Sequence, residues 1–287
     1  MKSLIHFLSN LILNLRLATR PLRIFLHSHG SAWLSFNGWY RRNLVECPIG
    51  STNSSARDAW VGSQLTRLPK GWRILDAGSG EQKYRPLCKH LKYVSQDHEA
   101  YDGHGDGVGG HVPSWTYGET NLVCDITEIP EPDASFDAVL CTEVLEHVPD
   151  PVCALEELAR LLKPGGTVIL SVPFCSFTHF APYHFSTGLS RYWYEQHLGR
   201  LGFEQVTCEA NGNYFEYLAQ EIRRLEQMAK DYAGTELSWA IKFLSIMMLR
   251  FLSKLSAKDT GSWEYASFGW HVSAVKSKKP LDSIAKH

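Results

Sequence analysis

At 287 residues and 44% hydrophobic content, the chain is long enough for one α/β domain with additions and apolar enough to bury a core. A formal net charge of −1 supplies no general attraction to nucleic acid, which is not expected as a partner. Seven cysteines without a Cys-x-x-Cys pair cannot all join in disulfides, which favours reduced thiols and a cytoplasmic setting.

Residues 1–45 contain no acid but carry Lys2, Arg16, Arg20, Arg23, Arg41 and Arg42. Leu4, Leu8, Leu11 and Leu15 recur at helical spacing, which predicts a basic amphipathic helix ending near Pro21. His6, Ser9, Asn10 and Asn14 interrupt it too often for a bilayer span, and it lacks a clean signal cleavage site. Two uses fit: peripheral membrane contact through residues 1–27, or a cap on the following domain.

The stretch Ile74–Tyr84 reads as a strand ending in Asp76, a tight turn through Gly78 and Gly80, and a helix start. Glycine admits unusual dihedrals and lets a ligand approach the backbone. Lys83 stands where a dinucleotide fingerprint needs its third glycine, which argues against a nicotinamide oxidoreductase. Asp76 would repel a pyrophosphate and suits a cationic ligand. Leu91–Asp97 reads as a second strand, placing Asp97 where an open α/β sheet holds a ribose through its hydroxyls.

The segment Asp102–His111 invites a metal reading, but Pro113 replaces the glutamate at position twelve of a calcium loop. No metal ligands are assigned from the sequence; the glycines predict a mobile loop beside the ligand pocket. Leu122–Asp125 is a further short run ending in an acid, and Ser135–Cys141 reads as a buried strand. Pro149-Asp-Pro151 opens a helix with Ala154, Leu155, Leu158, Leu161 and Leu162 at helical spacing, stopped by Lys163-Pro-Gly-Gly166. Strands follow at Thr167–Phe174, Phe203–Cys208 and Phe268–Val275. Between the last two, Tyr217–Lys230 predicts one helix, and Leu237, Ile241, Leu244, Met248, Phe251 and Leu255 mark the apolar stripe of another.

The ordered pieces Asp76-x-Gly78-x-Gly80, Asp97, Asp125-Ile126, Cys-Thr-Glu-Val-Leu-Glu-His-Val and Leu-Lys-Pro-Gly-Gly resemble the class I S-adenosylmethionine-dependent methyltransferases, with a type 11-like domain. The likeness covers about residues 65–212 and a last strand near 268–276. It implies a Rossmann-like three-layer sandwich with a seven-stranded, mostly parallel sheet. Domains are then expected at 1–64 (helical extension), 65–212 (core), 213–263 (helical insertion) and 264–287 (last strand and tail). It implies S-adenosyl-L-methionine as cofactor, with the glycine turn under its methionine part. Asp97 would hold the ribose, Asp125 the adenine amino group, and Ile126 would pack on the ring. Cys141, Thr142 and Glu143 would line the methionyl end. Many members have a third glycine where this chain has Gln82, whose amide can still reach the cofactor carboxylate.

Ligands of such sheets sit at the carboxyl ends of the strands, so the loop after the fifth strand faces the acceptor. Its His179 and His184 are candidates for a general base or for positioning a polar acceptor. His147 is a third candidate, four residues beyond Glu143 and so on one face with it, and equally a structural histidine. The expected activity is methyl transfer to oxygen of a small-molecule or glycan-type acceptor. A lipid or quinone acceptor at a membrane, and a non-catalytic cofactor-binding partner, are the alternatives. Oligomeric state is not legible.

Overall fold

The computed structural model describes residues 30–107 and 109–279, so the basic helix expected near the N-terminus lies outside the described residues. They divide into two compact units.

One unit comprises Gly50–Gln220 and the chain from Leu255 on. Its strands are β1 (Arg73–Ala77), β2 (Lys92–Asp97), β3 (Leu122–Val123), β4 (Phe136–Thr142), β5 (Leu162–Pro173), β6 (Phe203–Asn211) and β7 (Gly269–Lys276). They form one seven-stranded sheet in the order β3-β2-β1-β4-β5-β7-β6. Strands β1 to β5 pair in parallel; β7 runs antiparallel to both β5 and β6. Chain order reverses between β1 and β4, which opens a crevice at their carboxyl ends.

Consecutive apolar residues in these strands are buried on both faces, as a sheet covered on both sides requires. Leu75, Val139 and Leu170 join Leu155 and Leu158 in one core cluster. Their neighbours Ile74, Ala138, Leu140 and Ile169 join Val61 and Leu65 in the other. Val61 and Leu65 come from a helix at Asn53–Arg67, which is therefore a layer of the sandwich. The domain boundary expected at residue 64 cuts through this helix. Fully burying Leu65 alone contributes about 1.5–3 kcal/mol.

On the opposite side, the helix Pro151–Leu161 starts at Asp150, whose carboxylate accepts the N–H groups of Val152 and Cys153 at 3.1 and 3.0 Å. Pro151 fits the first turn because it has no N–H to leave unpaired. Leu162 was expected in this helix; it instead begins β5 and pairs with Phe136.

Among the described residues, the second unit comprises residues 30–49 and Glu221–Lys254. It holds the helix Gly30–Glu46, most of the helix Tyr214–Ala233, and nearly all of the helix Trp239–Ser256. Within it Arg223 donates to the backbone carbonyls of Ile49 (2.6 Å), Leu44 (2.9 Å) and Cys47. In Trp239–Ser256 the buried face carries Ile246, Leu249 and Leu252 with Lys242 and Ser245. The stripe marked by helical spacing is turned outward: Ile241, Leu244, Met248 and Phe251 are exposed. This helix is apolar nearly all round, so spacing alone could not select its inner face. Lys242 is held inside by an ion pair to Glu226 at 2.6 Å. No described helix is long and apolar enough to cross a membrane.

Candidate active site

The glycine turn is stitched to the neighbouring strand ends. Gly78 and Gly80 have φ of +68° and +47°, the left-handed region that glycine enters without penalty. Gly80 N–H donates to Asp97 Oδ2 at 2.8 Å, and Gly78 N–H to Gln96 Oε1 at 3.2 Å. The Gln96 side chain also donates to the Cys124 carbonyl at 2.7 Å, tying β1, β2 and the approach to Asp125 together. Gln96 was not singled out in the sequence. Its signal is an amide at a strand position that is almost fully buried.

Beyond the turn lies a cavity of about 310 Å³, within the range of small-molecule sites. Gly78, Gly80 and Asp97 line it, as do Asp125, Ile126, Glu143 and His147. Asp97 Oδ1 accepts the Glu99 N–H at 2.9 Å, so each carboxylate oxygen spends one lone pair on backbone and keeps another. Asp125 Oδ1 accepts both the N–H and the hydroxyl of Thr127, which hold its carboxyl below the usual carboxylate range. The rest of the wall is aromatic: Tyr101, Trp115, Tyr117 and Phe180, with Tyr183 and Phe185. Trp115 meets Tyr101 and Phe180 edge-on at centroid distances of 5.8 and 5.3 Å. Tyr101, Trp115 and Tyr117 were missed because a long loop has no periodicity to mark its inner side.

Four residues expected against the cofactor do not line this cavity. Asp76 is buried in the sheet and accepts the Tyr93 hydroxyl at 2.5 Å; burial raises its carboxyl to about 7, and Asp97 adds to the rise. The argument that its charge faces a cation therefore lacks support. Gln82 donates to the Glu119 carbonyl at 2.9 Å and accepts from Arg85 at 2.8 Å, so its amide is engaged inside the protein. Cys141 points into the core, where burial pushes its thiol up. Thr142 ends β4 in register with Ser171.

Glu143, with φ +54°, is pinned from both sides. Its N–H donates to the Ser171 carbonyl at 2.7 Å, and its carboxylate accepts the Ser171 hydroxyl at 3.0 Å and pairs with Arg57 at 2.6 Å. Arg57 escaped sequence reasoning because its helix was assigned to an extension.

His147 lines the cavity; His179 and His184 stand behind it. The three rings nonetheless meet, with centroids 4.7 Å apart for His147 and His179, 5.9 Å for His147 and His184, and 4.9 Å for His179 and His184. His147 Nδ1 lies 2.5 Å from the Tyr183 carbonyl, and His179 Nδ1 lies 2.9 Å from the Phe177 carbonyl. A carbonyl only accepts, so each Nδ1 is assigned the proton and each Nε2 a lone pair. Burial pushes His147 down to about 4, with His179 the next cause. Between these rings Glu146 is fully buried, and neither carboxylate oxygen has a hydrogen-bond partner. Burial pushes its carboxyl well above the usual range, and Glu143 adds to this.

The glycine-rich loop expected to be mobile is instead bound along the histidine loop. Gly110 N–H donates to the Thr178 carbonyl at 3.0 Å, Phe180 N–H to the Gly110 carbonyl at 2.9 Å, and Asp106 N–H to the Ala181 carbonyl at 3.1 Å. The close approach requires glycine: a Cβ on Gly105 would lie 1.9 Å from the Ala181 carbonyl oxygen.

Parts of this chain are similar to known methyltransferases. Residues 75–170 match a family model described as a methyltransferase domain. A ubiquinone biosynthesis O-methyltransferase of Xanthomonas axonopodis pv. citri (strain 306) is 58% identical over 148 residues, covering 47% of this chain and 56% of that protein. One from Xanthomonas campestris pv. campestris (strain B100) is 61% identical over 41 residues, covering 14% of this chain and 17% of that one. The chain thus matches between 17% and 56% of the length of these curated relatives. Among solved structures, an Archaeoglobus fulgidus SAM-dependent methyltransferase aligns at 20% identity and TM-score 0.46, covering 75% of this chain and 93% of that one. A Haemonchus contortus phosphoethanolamine N-methyltransferase 2 aligns at 19% identity and TM-score 0.44, covering 79% and 53%.

Proposed function

We infer the reaction from the membership of this chain in the class I S-adenosylmethionine-dependent methyltransferases, whose methyl donor is S-adenosyl-L-methionine. The reading is methyl transfer to an oxygen of a small-molecule acceptor. The observation that carries it is the arrangement of the cavity. Two carboxylates, Asp97 and Asp125, stand on one side, a histidine stands at another, and aromatic rings close the space between.

In this reading the free lone pairs of Asp97 accept the ribose hydroxyls, and Asp125 accepts the adenine amino group beside Ile126. Gly78 and Gly80 leave room for the methionine part. The acceptor oxygen attacks the sulfonium methyl in line from about 3–3.5 Å, and the carbon–sulfur electron pair returns to sulfur. The acceptor loses its hydroxyl proton on the side of His147, whose Nε2 carries a lone pair. The aromatic walls exclude water and favour a flat or apolar acceptor.

A hydroxyl on an aromatic, quinone-like head is favoured over a sugar by those walls and by the names of the relatives. Presentation from a membrane surface goes with this second reading. The test is incubation of the full chain with methyl-labelled S-adenosylmethionine and three acceptor panels: catechol-type phenols, monosaccharides and primary amines. A labelled methyl ether from the phenols is expected. Label on amine acceptors, with none on either hydroxyl panel, would overturn transfer to oxygen.

A further inference from the structure

The histidine cluster gathers buried polar atoms that have no hydrogen-bond partner in the protein. Glu146 Oε1 lies 3.6 Å from His147 Nε2 and 3.9 Å from His179 Nε2. Both separations are too long for a hydrogen bond between a carboxyl oxygen and a ring nitrogen, which spans at most about 3.2 Å. One ring nitrogen each of His147, His179 and His184 lies within 4.8 Å of the others. Both nitrogens of His184, the Nε2 of His147 and both oxygens of Glu146 are buried and unpartnered. A cluster of core histidines in its ordinary state would show donors meeting these acceptors, because buried polar groups are almost always hydrogen-bonded.

We propose that His147, His179, His184 and Glu146 hold a divalent transition-metal ion of the zinc type. Bonds of about 2.0–2.1 Å in a tetrahedron separate neighbouring ligand atoms by about 3.3–3.4 Å. The two Glu146 separations, 3.6 and 3.9 Å, lie within a few tenths of an ångström of that spacing, and the histidine nitrogens, within 4.8 Å of one another, would close by up to about 1.5 Å. Three imidazoles with one carboxylate suit zinc and its transition-metal neighbours, whereas magnesium and calcium take sets of oxygens. The outer shell is already in place: the Tyr183 and Phe177 carbonyls accept the Nδ1 protons of His147 and His179, which orients each Nε2 inward. The hydrogen bonds of the Phe185 and Ser186 N–H groups to the Glu146 carbonyl bring the His184 segment to the same point. His147 also lines the cavity, so the ion stands at its edge. With four protein ligands the tetrahedron is closed, so an ion there would hold the histidine loop in place and would occupy the His147 Nε2 lone pair that the methyl-transfer reading gives to the acceptor proton; the site itself does not rest on that reading.

The test uses the full chain without a polyhistidine tag, stripped of metal with a chelator, dialysed, and kept in a phosphine reductant. Zinc chloride is titrated by calorimetry. One ion per chain is expected, with affinity weakened at least tenfold in each of His179→Ala, His184→Asn and Glu146→Gln. Loss of an orienting partner alone typically costs about 10–100-fold, and these changes remove ligands. His197→Asn, outside the cluster, leaves the affinity unchanged. The visible absorption of a tetrahedral cobalt complex should be lost in the same three variants. S-adenosylhomocysteine is titrated into every sample. Its binding shows that a variant is folded, and its failure to bind wild type while zinc does would count against the methyltransferase reading alone. His184 is half-buried in a loop, so His184→Asn keeps the test decisive even where Glu146→Gln unfolds. Wild type that binds no zinc, or binds it no more tightly than His184→Asn, would overturn the site.

Discussion

Replacing Asp97 with alanine should weaken S-adenosylhomocysteine binding about a hundredfold. Both carboxylate oxygens already accept a backbone N–H, from Gly80 at 2.8 Å and Glu99 at 2.9 Å, and their remaining lone pairs face the cavity. A hydrogen bond to a charged group contributes roughly 1.5–3 kcal/mol. Two bonds to a ribose at the lower end of that range give about 3 kcal/mol, or about two decades in affinity. Loss of the Gly80 and Glu99 contacts adds a smaller cost through a looser turn. Asp97→Asn keeps one acceptor oxygen and should lose about one decade. Calorimetric titration of the three proteins gives the affinities, and circular dichroism shows that each is folded. A folded Asp97→Ala protein within threefold of wild type would refute the assignment of the ribose to this carboxylate.

The glycine turn makes a second prediction. A Cβ on Gly78 would lie 2.4 Å from Val144 Cγ2 at a φ of +68°, so Gly78→Ala should cost about 2–4 kcal/mol in urea unfolding and at least a decade in cofactor affinity. Unaltered stability would show that the turn accommodates a side chain. On the helix Trp239–Ser256, Leu249→Ala should destabilise by about 2–5 kcal/mol, whereas Leu244→Ala should stay within about 0.5 kcal/mol. Equal losses would contradict Ile246, Leu249 and Leu252 as the inward face. Asp76 binds its proton more tightly in the native state, at about 7 against an ordinary 3.8, so its contribution to stability falls as pH rises through that interval. Asp76→Asn should therefore gain on wild type with rising pH, by at most about 4 kcal/mol at neutrality; parallel thermal-denaturation curves from pH 4 to 8 would contradict this.

The legible parts of the chain are those with local physics. The unbroken burial of Ile74 and Leu75, the turn at Gly78 and Gly80, and the cap at Asp150 all follow from neighbours in sequence. The seven-stranded, mostly parallel sheet, though not its strand order, followed from resemblance to a known family. What escaped depended on distant partners. The Asp76 carboxylate belongs to Tyr93, Gln82 to Glu119 and Arg85, and Glu143 to Arg57, each a choice made by packing. The Trp239–Ser256 helix was recognised as a helix, but which of its faces packs inward was not legible because both sides are apolar. His147, His179 and His184 were each picked as catalytic candidates. Their convergence on Glu146 required the loop after β5 to fold back onto the short helix Leu145–His147. No spacing rule connects residues joined in that way.

Titration of the full chain with S-adenosylhomocysteine and, in parallel, with NAD tests the central claim most directly. The account predicts saturable binding of S-adenosylhomocysteine at one site per chain, and none of NAD. Binding of NAD without S-adenosylhomocysteine would contradict it.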